Sequence, residues 1–306
     1  MITTIFDVPT PADFSFAATV HSHGWRELPP FHYDDNRHIL SVPQRLRSGT
    51  TVLRLSSPDD QELIAQVESE APLGSGDEET LRRVVRTCFR LDQDLGEFRG
   101  FIDDISGYDW VARHRLGRLL VSPTAWEDLA KTLATTNMTW SGTISMCRRL
   151  VSLGEPFAGG FCFPTPQEIA AVDPVRLAEV TKLGYRAAYL HEMATKIASG
   201  DLDVEAWREG DLPTDELYRK ITALKGFGSY AAGSMLGLMG RYERLAIDSI
   251  VRRVFRDQMN GGREATDKDI TAHYGRFASW AGLVMWLDVM RASLVPYLET
   301  RKPQRP

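Results

Sequence analysis

Residues 224–254, LKGFGSYAAGSMLGLMGRYERLAIDSIVRRV, place the tightest limits on the fold. The stretch joins a Gly-Phe-Gly turn to a run of small and apolar residues, then to an aspartate followed by an arginine-rich segment. Gly226 and Gly228 permit positive φ and a close approach of backbone to a ligand. The pattern predicts that Gly228 opens a helix, whose first-turn N–H groups and dipole suit an anion such as phosphate. Ala231 and Ala232 let that helix pack closely on the one before. A glycine-rich turn used only for packing fits the same letters. Asp248, eighteen residues beyond Tyr230, reads as the N-cap of the next helix or as a catalytic carboxylate. The two roles are compatible, because a helix N-terminus favours the ionised carboxylate.

The rest of the chain bounds the class. It has 306 residues, 43% hydrophobic and 25% charged, enough for two domains or one large one with an extensive core. No apolar run approaches the roughly 20 residues of a membrane helix, and residues 1–10 lack the basic and apolar regions of a secretory signal. Cys88, Cys147 and Cys162 are odd in number and form no CxxC, which argues for a reducing compartment and against a zinc or iron–sulfur site. The expected location is cytoplasmic. Net charge is −5, but it is unevenly spread. Residues 55–81 hold eight acids and no Lys or Arg, while residues 219–256 hold eight bases against Glu243 and Asp248. Such a segment can present a basic face to phosphates in an acidic protein, or be ordinary solvated helix surface.

Residues 1–56 read as β-rich: TTVLRLSS alternates, and HILSVPQRL carries a proline that suggests an edge. Residues 72–77 have linker composition, so a boundary is expected between 1–76 and 77–300, with a frayed tail at 301–306. Beyond it the periodicity is helical. Leu81, Val84, Val85, Cys88 and Leu91 share a face, Thr124 and Glu127 have capping-box spacing, and Thr214 reads as an N-cap.

Taken together, the hairpin and the later aspartate resemble the helix-hairpin-helix/Gly-Pro-Asp (HhH-GPD) superfamily of base-excision DNA glycosylases. The segments SPTAWEDLAKTLATTNMTWS, FPTPQEIA, KLGYRAAYL and YGRFASWAGLVMW agree in order. They are similar to the 3-methyladenine DNA glycosylase II and 8-oxoguanine branches over roughly residues 80–290. The resemblance implies an α+β fold, a mostly helical HhH-GPD core behind an N-terminal antiparallel β-rich domain.

It also implies roles. Asp248 matches the catalytic aspartate, which stabilises an oxocarbenium-like sugar and assists water. Bifunctional relatives carry a lysine where Tyr230 stands, and tyrosine cannot form a Schiff base; the implied enzyme is monofunctional. Lys225, Gly226, Gly228, Ser229 and Tyr230 match the DNA-backbone clamp, with Lys225 in place of the usual proline. In relatives the hairpin carbonyls also hold a monovalent cation; no other cofactor is implied. Asn137, Tyr185 and Arg186 match residues that fill the gap left by an extruded base and hold the orphaned partner. Mid-helix kink, packed ring and surface arginine are their plain alternatives. Trp140, Tyr230, Ser234, Gly282 and Trp286 match the base pocket, although the glutamine that reads the base edge is replaced by Gly282. Trp280 reads as core, and for Trp140 and Trp286 core and pocket are both open.

An aromatic pocket with few base-edge donors suits cationic alkylated bases of the 3-methyladenine type. The expected partner is damaged duplex DNA, bound by a monomer. The alternatives are 8-oxoguanine or a deaminated base on the same fold, or a non-catalytic DNA-binding module.

Overall fold

The computed structural model describes residues 2–69, 72–157 and 159–300; the tail at 301–306 lies outside them. The chain packs into two compact units, each built from separated stretches: Met1–Asp92 with Arg118–Val204, and Gln93–Gly117 with Glu205–Arg301.

In the first unit, β1 (Ile2–Val8), β2 (His32–Asp34), β3 (Ile39–Leu46), β4 (Gly49–Ser56) and β5 (Leu63–Ser69) form an antiparallel sheet in the order β1-β5-β4-β3-β2. The alternation in the sequence becomes one buried face. Leu53 on β4 stands between Val42 and Val67, and Leu55 between Leu40 and Ala65, all buried. Pro43 pairs opposite Val52 but lies past the end of β2, where a missing N–H costs no ladder bond.

Residues 72–77 do carry the chain from strand to helix. The Asp77 carboxylate accepts from Ser48 Oγ at 2.5 Å and Gly74 N at 2.8 Å, which pins the start of helix α1 (Asp77–Cys88) to the β3–β4 turn. That change at 76/77 falls inside one compact unit; the units divide instead after Asp92, Gly117 and Val204. Leu81, Val85, Cys88 and Leu91 are buried, as the periodicity predicts.

Helix α2 (Ala125–Thr135) starts as expected, with Thr124 accepting from Glu127 N. The Glu127 carboxylate does not complete a capping box. It turns inward to Lys131 Nζ at 2.6 Å, and Lys131 is fully buried beneath the Phe31 ring. Asp128 beside it accepts from Trp25 Nε1 at 2.6 Å and Ser122 N at 3.0 Å. This buried polar network ties the 23–31 loop to α2. Helix α3 (Trp140–Val151) follows, then the helix Pro166–Ala171 with its Thr165/Glu168 capping box, then α4 (Arg186–Ser199). Arg45 of β3 grips Glu168 with two bonds, at 3.0 and 2.7 Å.

The second unit is helical: α5 (Thr214–Thr222), α6 (Ser229–Leu238), α7 (Ser249–Val254), α8 (Asp267–Gly275) and α9 (Ala281–Thr300), with short helices Gly96–Asp103 and Asp109–Arg113. Thr214 is not a cap, contrary to the sequence reading. It is the first helical residue, after Pro213, and its hydroxyl donates to Glu243 Oε1 at 3.0 Å.

Contrary to the sequence reading, residues 278–300 are long and apolar enough by length and mean hydropathy to cross a membrane. Part of the helix is buried in the second unit. Leu283, Val284, Met285, Leu287 and Leu294 are buried, and buried Asp288 accepts from Tyr108 at 2.9 Å and Tyr274 at 3.1 Å. Burial pushes the Asp288 carboxyl above its ordinary range, while the two hydroxyl bonds oppose the shift.

His23 gives the fold a pH dependence. It is fully buried, donates from Nε2 to Leu120 O at 2.5 Å, and burial pushes its pKa down to about 4; nearby Asp128 raises it and Lys131 lowers it. The folded state therefore favours neutral His23 and the unfolded state protonates first. Its contribution is full above the unfolded pKa of about 6.5 and is lost as pH falls towards 4. Between pH 7 and 4.5 the wild type is expected to lose about 2 kcal/mol more than His23→Gln in urea denaturation; equal losses would contradict this.

Candidate functional site

The hairpin forms as the glycines predict, although only one uses its freedom. After α5, Leu224 N donates to Ile221 O at 3.0 Å and Phe227 N to Leu224 O at 3.1 Å. Gly226 has φ +89°, a conformation that favours glycine, whereas Gly228 is extended at φ −79°, ψ −171°. Phe227 is buried and anchors the turn, leaving Lys225, Gly228 and Ser229 exposed. No side chain caps α6 at Gly228. Its first-turn N–H groups therefore keep the anion-binding character of an uncapped helix start. Tyr230 is half-buried in that first turn, and Ser234 is half-buried one turn later on the same face.

Asp248 is the N-cap of α7. Its Oδ1 accepts from Val251 N at 2.8 Å, its backbone is extended, and its side chain is half-buried. The segment that delivers it is clamped between two helices. A Cβ at Gly233 of α6 would lie 2.7 Å from Leu245 O; a Cβ at Gly282 of α9 would lie 2.6 Å from Arg244 O and 2.9 Å from Tyr242 O. Gly282 N also donates to Tyr242 O at 2.7 Å. Both helix backbones thus touch the backbone of residues 242–246, just before the carboxylate.

This contact corrects the reading of Gly282. Its bare Cα is dictated by the irregular segment 242–246 lying on it, and no side chain fits between the two backbones. Trp286 lies one turn further along the same face of α9, half-buried. Trp280, read as core, is half-buried and packs against Phe98 and Tyr242 at 5.2 and 5.8 Å between centroids. The basic segment is less positive than its count suggests. Lys220 pairs with Glu216, Arg244 with Asp215, Arg252 with Asp267, and Arg256 with Asp257 and Glu264.

In the first unit the structure brings Asn137 and Tyr185 together. Both are exposed, Asn137 has φ +49°, and its Nδ2 lies 3.4 Å from the Tyr185 hydroxyl. Arg186, matched with them to the orphaned base, is turned inward here. It is 5% exposed, donates from Nε to Thr136 Oγ1 at 3.0 Å and from its Nη atoms to the carbonyls of Thr136, Asn137 and Leu183, and lies over the Tyr185 ring. It is a brace that holds the Asn137 turn from beneath. Sequence reasoning passed over Met138, exposed beside Asn137, although an apolar residue inside a polar run was a usable signal. Trp140 is exposed on one side, and its Nε1 donates to Glu27 Oε2 at 2.8 Å.

Gly233→Ala and Gly282→Ala are each expected to destabilise the protein by about 1–3 kcal/mol. Gly237→Ala in the same α6 helix, where a Cβ meets nothing within 4 Å, should be neutral or stabilising. Urea denaturation checks the contrast; equal effects at Gly233 and Gly237 would remove the clamp from the account.

Residues 130–278 match the family model described as HhH-GPD superfamily base excision DNA repair protein. Among curated proteins none matches the sequence. Similar solved structures include 3-methyladenine DNA glycosylase from Archaeoglobus fulgidus, 16% identical with a TM-score of 0.73, covering 94% of this chain and 99% of that one. Apo 8-oxoguanine glycosylase/lyase from Clostridium acetobutylicum is 17% identical with a TM-score of 0.72, covering 93% and 95%. MBOgg1 in complex with a low-affinity DNA ligand is 18% identical with a TM-score of 0.71, covering 98% and 100%. At such identities these likenesses show a shared fold, and residues 130–278, which contain both the hairpin and Asp248, are the part of the chain that matches the HhH-GPD superfamily of base excision DNA repair proteins.

Proposed function

We propose that this protein is a monofunctional DNA glycosylase that removes an alkylated base of the 3-methyladenine type from duplex DNA. The observation that carries the reading is Asp248. It is a carboxylate fixed by Val251 N and by the Gly233/Gly282 clamp, in the same compact unit as an uncapped, glycine-turned helix start. The family match and the DNA-bound neighbour support DNA as the partner.

In this reading Lys225, Gly226, Gly228, Ser229 and Tyr230 receive a backbone phosphate. Positive φ at Gly226 turns the chain, and the α6 N–H groups face the anion. Asn137 and Tyr185 occupy the gap left by the extruded nucleotide. The C1′–N bond breaks with its electron pair leaving on the base. A cationic alkylated base departs neutral and needs no proton from the enzyme. The sugar is left with oxocarbenium character, which the Asp248 carboxylate stabilises. Water then adds to C1′ and gives its proton to Asp248.

Two features favour an alkylated base over 8-oxoguanine. Gly282 has no room for a side chain that could read a base edge. Trp286 and Tyr230 offer rings, Ser234 one small hydroxyl, and electron-poor cations stack well on such faces. Tyr230 in place of an amine supports water as the nucleophile. The turn around Leu224 and Phe227 would offer backbone carbonyls, a neutral oxygen set that suits a monovalent cation and would stiffen the hairpin.

A panel of duplexes with single lesions tests the reading. Free base is expected from 3-methyladenine or 7-methylguanine duplexes, strand breaks only after alkali, and no protein–DNA adduct on borohydride reduction. Release of 8-oxoguanine opposite cytosine, with strand breakage before alkali, would overturn it.

A further inference from the structure

Asp248 has a cation one helical turn away. Arg252 N donates to Asp248 O at 3.1 Å, which closes the first turn of α7 and puts the two residues on one face. At this spacing an arginine commonly pairs with a carboxylate. No ion pair forms between them here. The Arg252 fork turns instead to α8, where Nε donates to Asp267 Oδ1 at 2.7 Å and Nη2 to Asp267 Oδ2 at 2.9 Å. The Asp248 carboxylate keeps its cap bond from Val251 N to Oδ1, and among the described residues no side chain donates to it. Arg252 lies within the field of both acids. The bonds to Asp267 are the main cause that holds its guanidinium above the ordinary range; burial opposes them and the Asp248 charge adds to them.

The fold has little need of the Arg252–Asp267 pair. Both side chains are about half exposed, and an ion pair so exposed contributes little to stability. Helix α8 is started by its own capping box: Thr266 N donates to Asp269 Oδ2 at 2.8 Å and Asp269 N to Thr266 Oγ1 at 3.3 Å. The crossover from α7 is held by its own bonds, from Asn260 N to Phe255 O at 2.9 Å, Gly262 N to Arg256 O at 2.8 Å and Arg256 Nη1 to Glu264 Oε1 at 3.1 Å. Asp267 is the first residue of α8, where the helix dipole favours a carboxylate. The bonds from Arg252 hold its carboxyl below the ordinary carboxylate range, against a smaller effect of burial. It is an ionised acceptor, fixed in place, that competes with Asp248 for one guanidinium.

Stabilising an oxocarbenium-like sugar takes a carboxylate whose charge is uncompensated. A guanidinium bound to Asp248 would occupy its oxygens and cancel much of that charge. We infer that Asp267 is a positioning residue for this centre: by holding the Arg252 guanidinium in a two-bond fork, it keeps the cation off Asp248 and leaves that carboxylate free to face the sugar. The inference rests on the glycosylase reading above and deepens it. All three residues belong to the second unit. Asp267 touches no reacting atom and acts through Arg252.

The test compares Asp267→Asn with the double variant Asp267→Asn/Arg252→Gln, which has the net charge of the wild type. Single-turnover base release and duplex affinity are measured separately, on the 7-methylguanine duplex or on the panel lesion that the wild type releases fastest. Asp267→Asn frees the guanidinium and is expected to slow release about fivefold, the upper size of an exposed arginine–carboxylate pair. Its duplex affinity should be unchanged or higher, since one positive charge is gained. Removing the freed cation in the double variant is expected to bring release back to within about twofold of wild type, because the two sites are coupled. A pair that merely braced α8 would leave the double variant at least as slow as the single one. That result, or release by Asp267→Asn at the wild-type rate, would overturn the inference while leaving the glycosylase reading intact. Absence of base release by the wild type on every lesion would sink that reading, and the inference with it.

Discussion

The close approach of residues 242–246 to the backbones of α6 and α9 is the contact on which the rest of the second unit depends. It exists because Gly233 and Gly282 carry no Cβ. A methyl group at either place would meet a carbonyl oxygen at 2.7 or 2.6 Å, and backbone cannot yield as a side-chain tip can. The clamp fixes where the chain emerges to become α7, and so fixes Asp248. The cap bond to Val251 N then fixes the rotamer. A carboxylate asked to stabilise charge at one sugar atom needs this kind of prior order, because reorganisation during the reaction would cost the advantage.

The first unit solves a different problem with similar means. Its surface exposes Met138, Trp140 and Tyr185 beside the polar Asn137, large apolar side chains of the kind that mark interaction surfaces. Each is held from below: Arg186 braces the Asn137 turn, Gly142 seats Met138, and Gly24 with Glu27 seats Trp140. Beneath the Trp140 seat lies the buried Lys131–Glu127 pair with Asp128 and Trp25. Burying charges is expensive, and such a pair is strongly destabilising to break from one side. It holds the 24–27 turn, and hence Glu27, in one place.

What could be read from the letters follows the range of the interactions. The hairpin, the Asp248 cap, the sheet alternation and the α1 face are local patterns of a few residues, and they formed as read. The Arg186 brace and the Glu27–Trp140 bond join residues that sequence order does not link; 113 positions separate the latter pair. Gly282 shows the limit most clearly. Its letter was legible as a missing side chain, but the reason, the backbone of residues 242–244 lying on α9, is tertiary. Thr214 failed for a local reason: Pro213 took the cap position and Glu243 took the hydroxyl.

Single-turnover base release by Asp248→Asn tests the central claim most directly. Asparagine caps a helix about as well as aspartate, so the fold, the clamp and duplex affinity should survive while the charge is lost. The account predicts duplex binding within about twofold of wild type and base release slowed at least about a hundredfold. Release at the wild-type rate on a methylated duplex would contradict it.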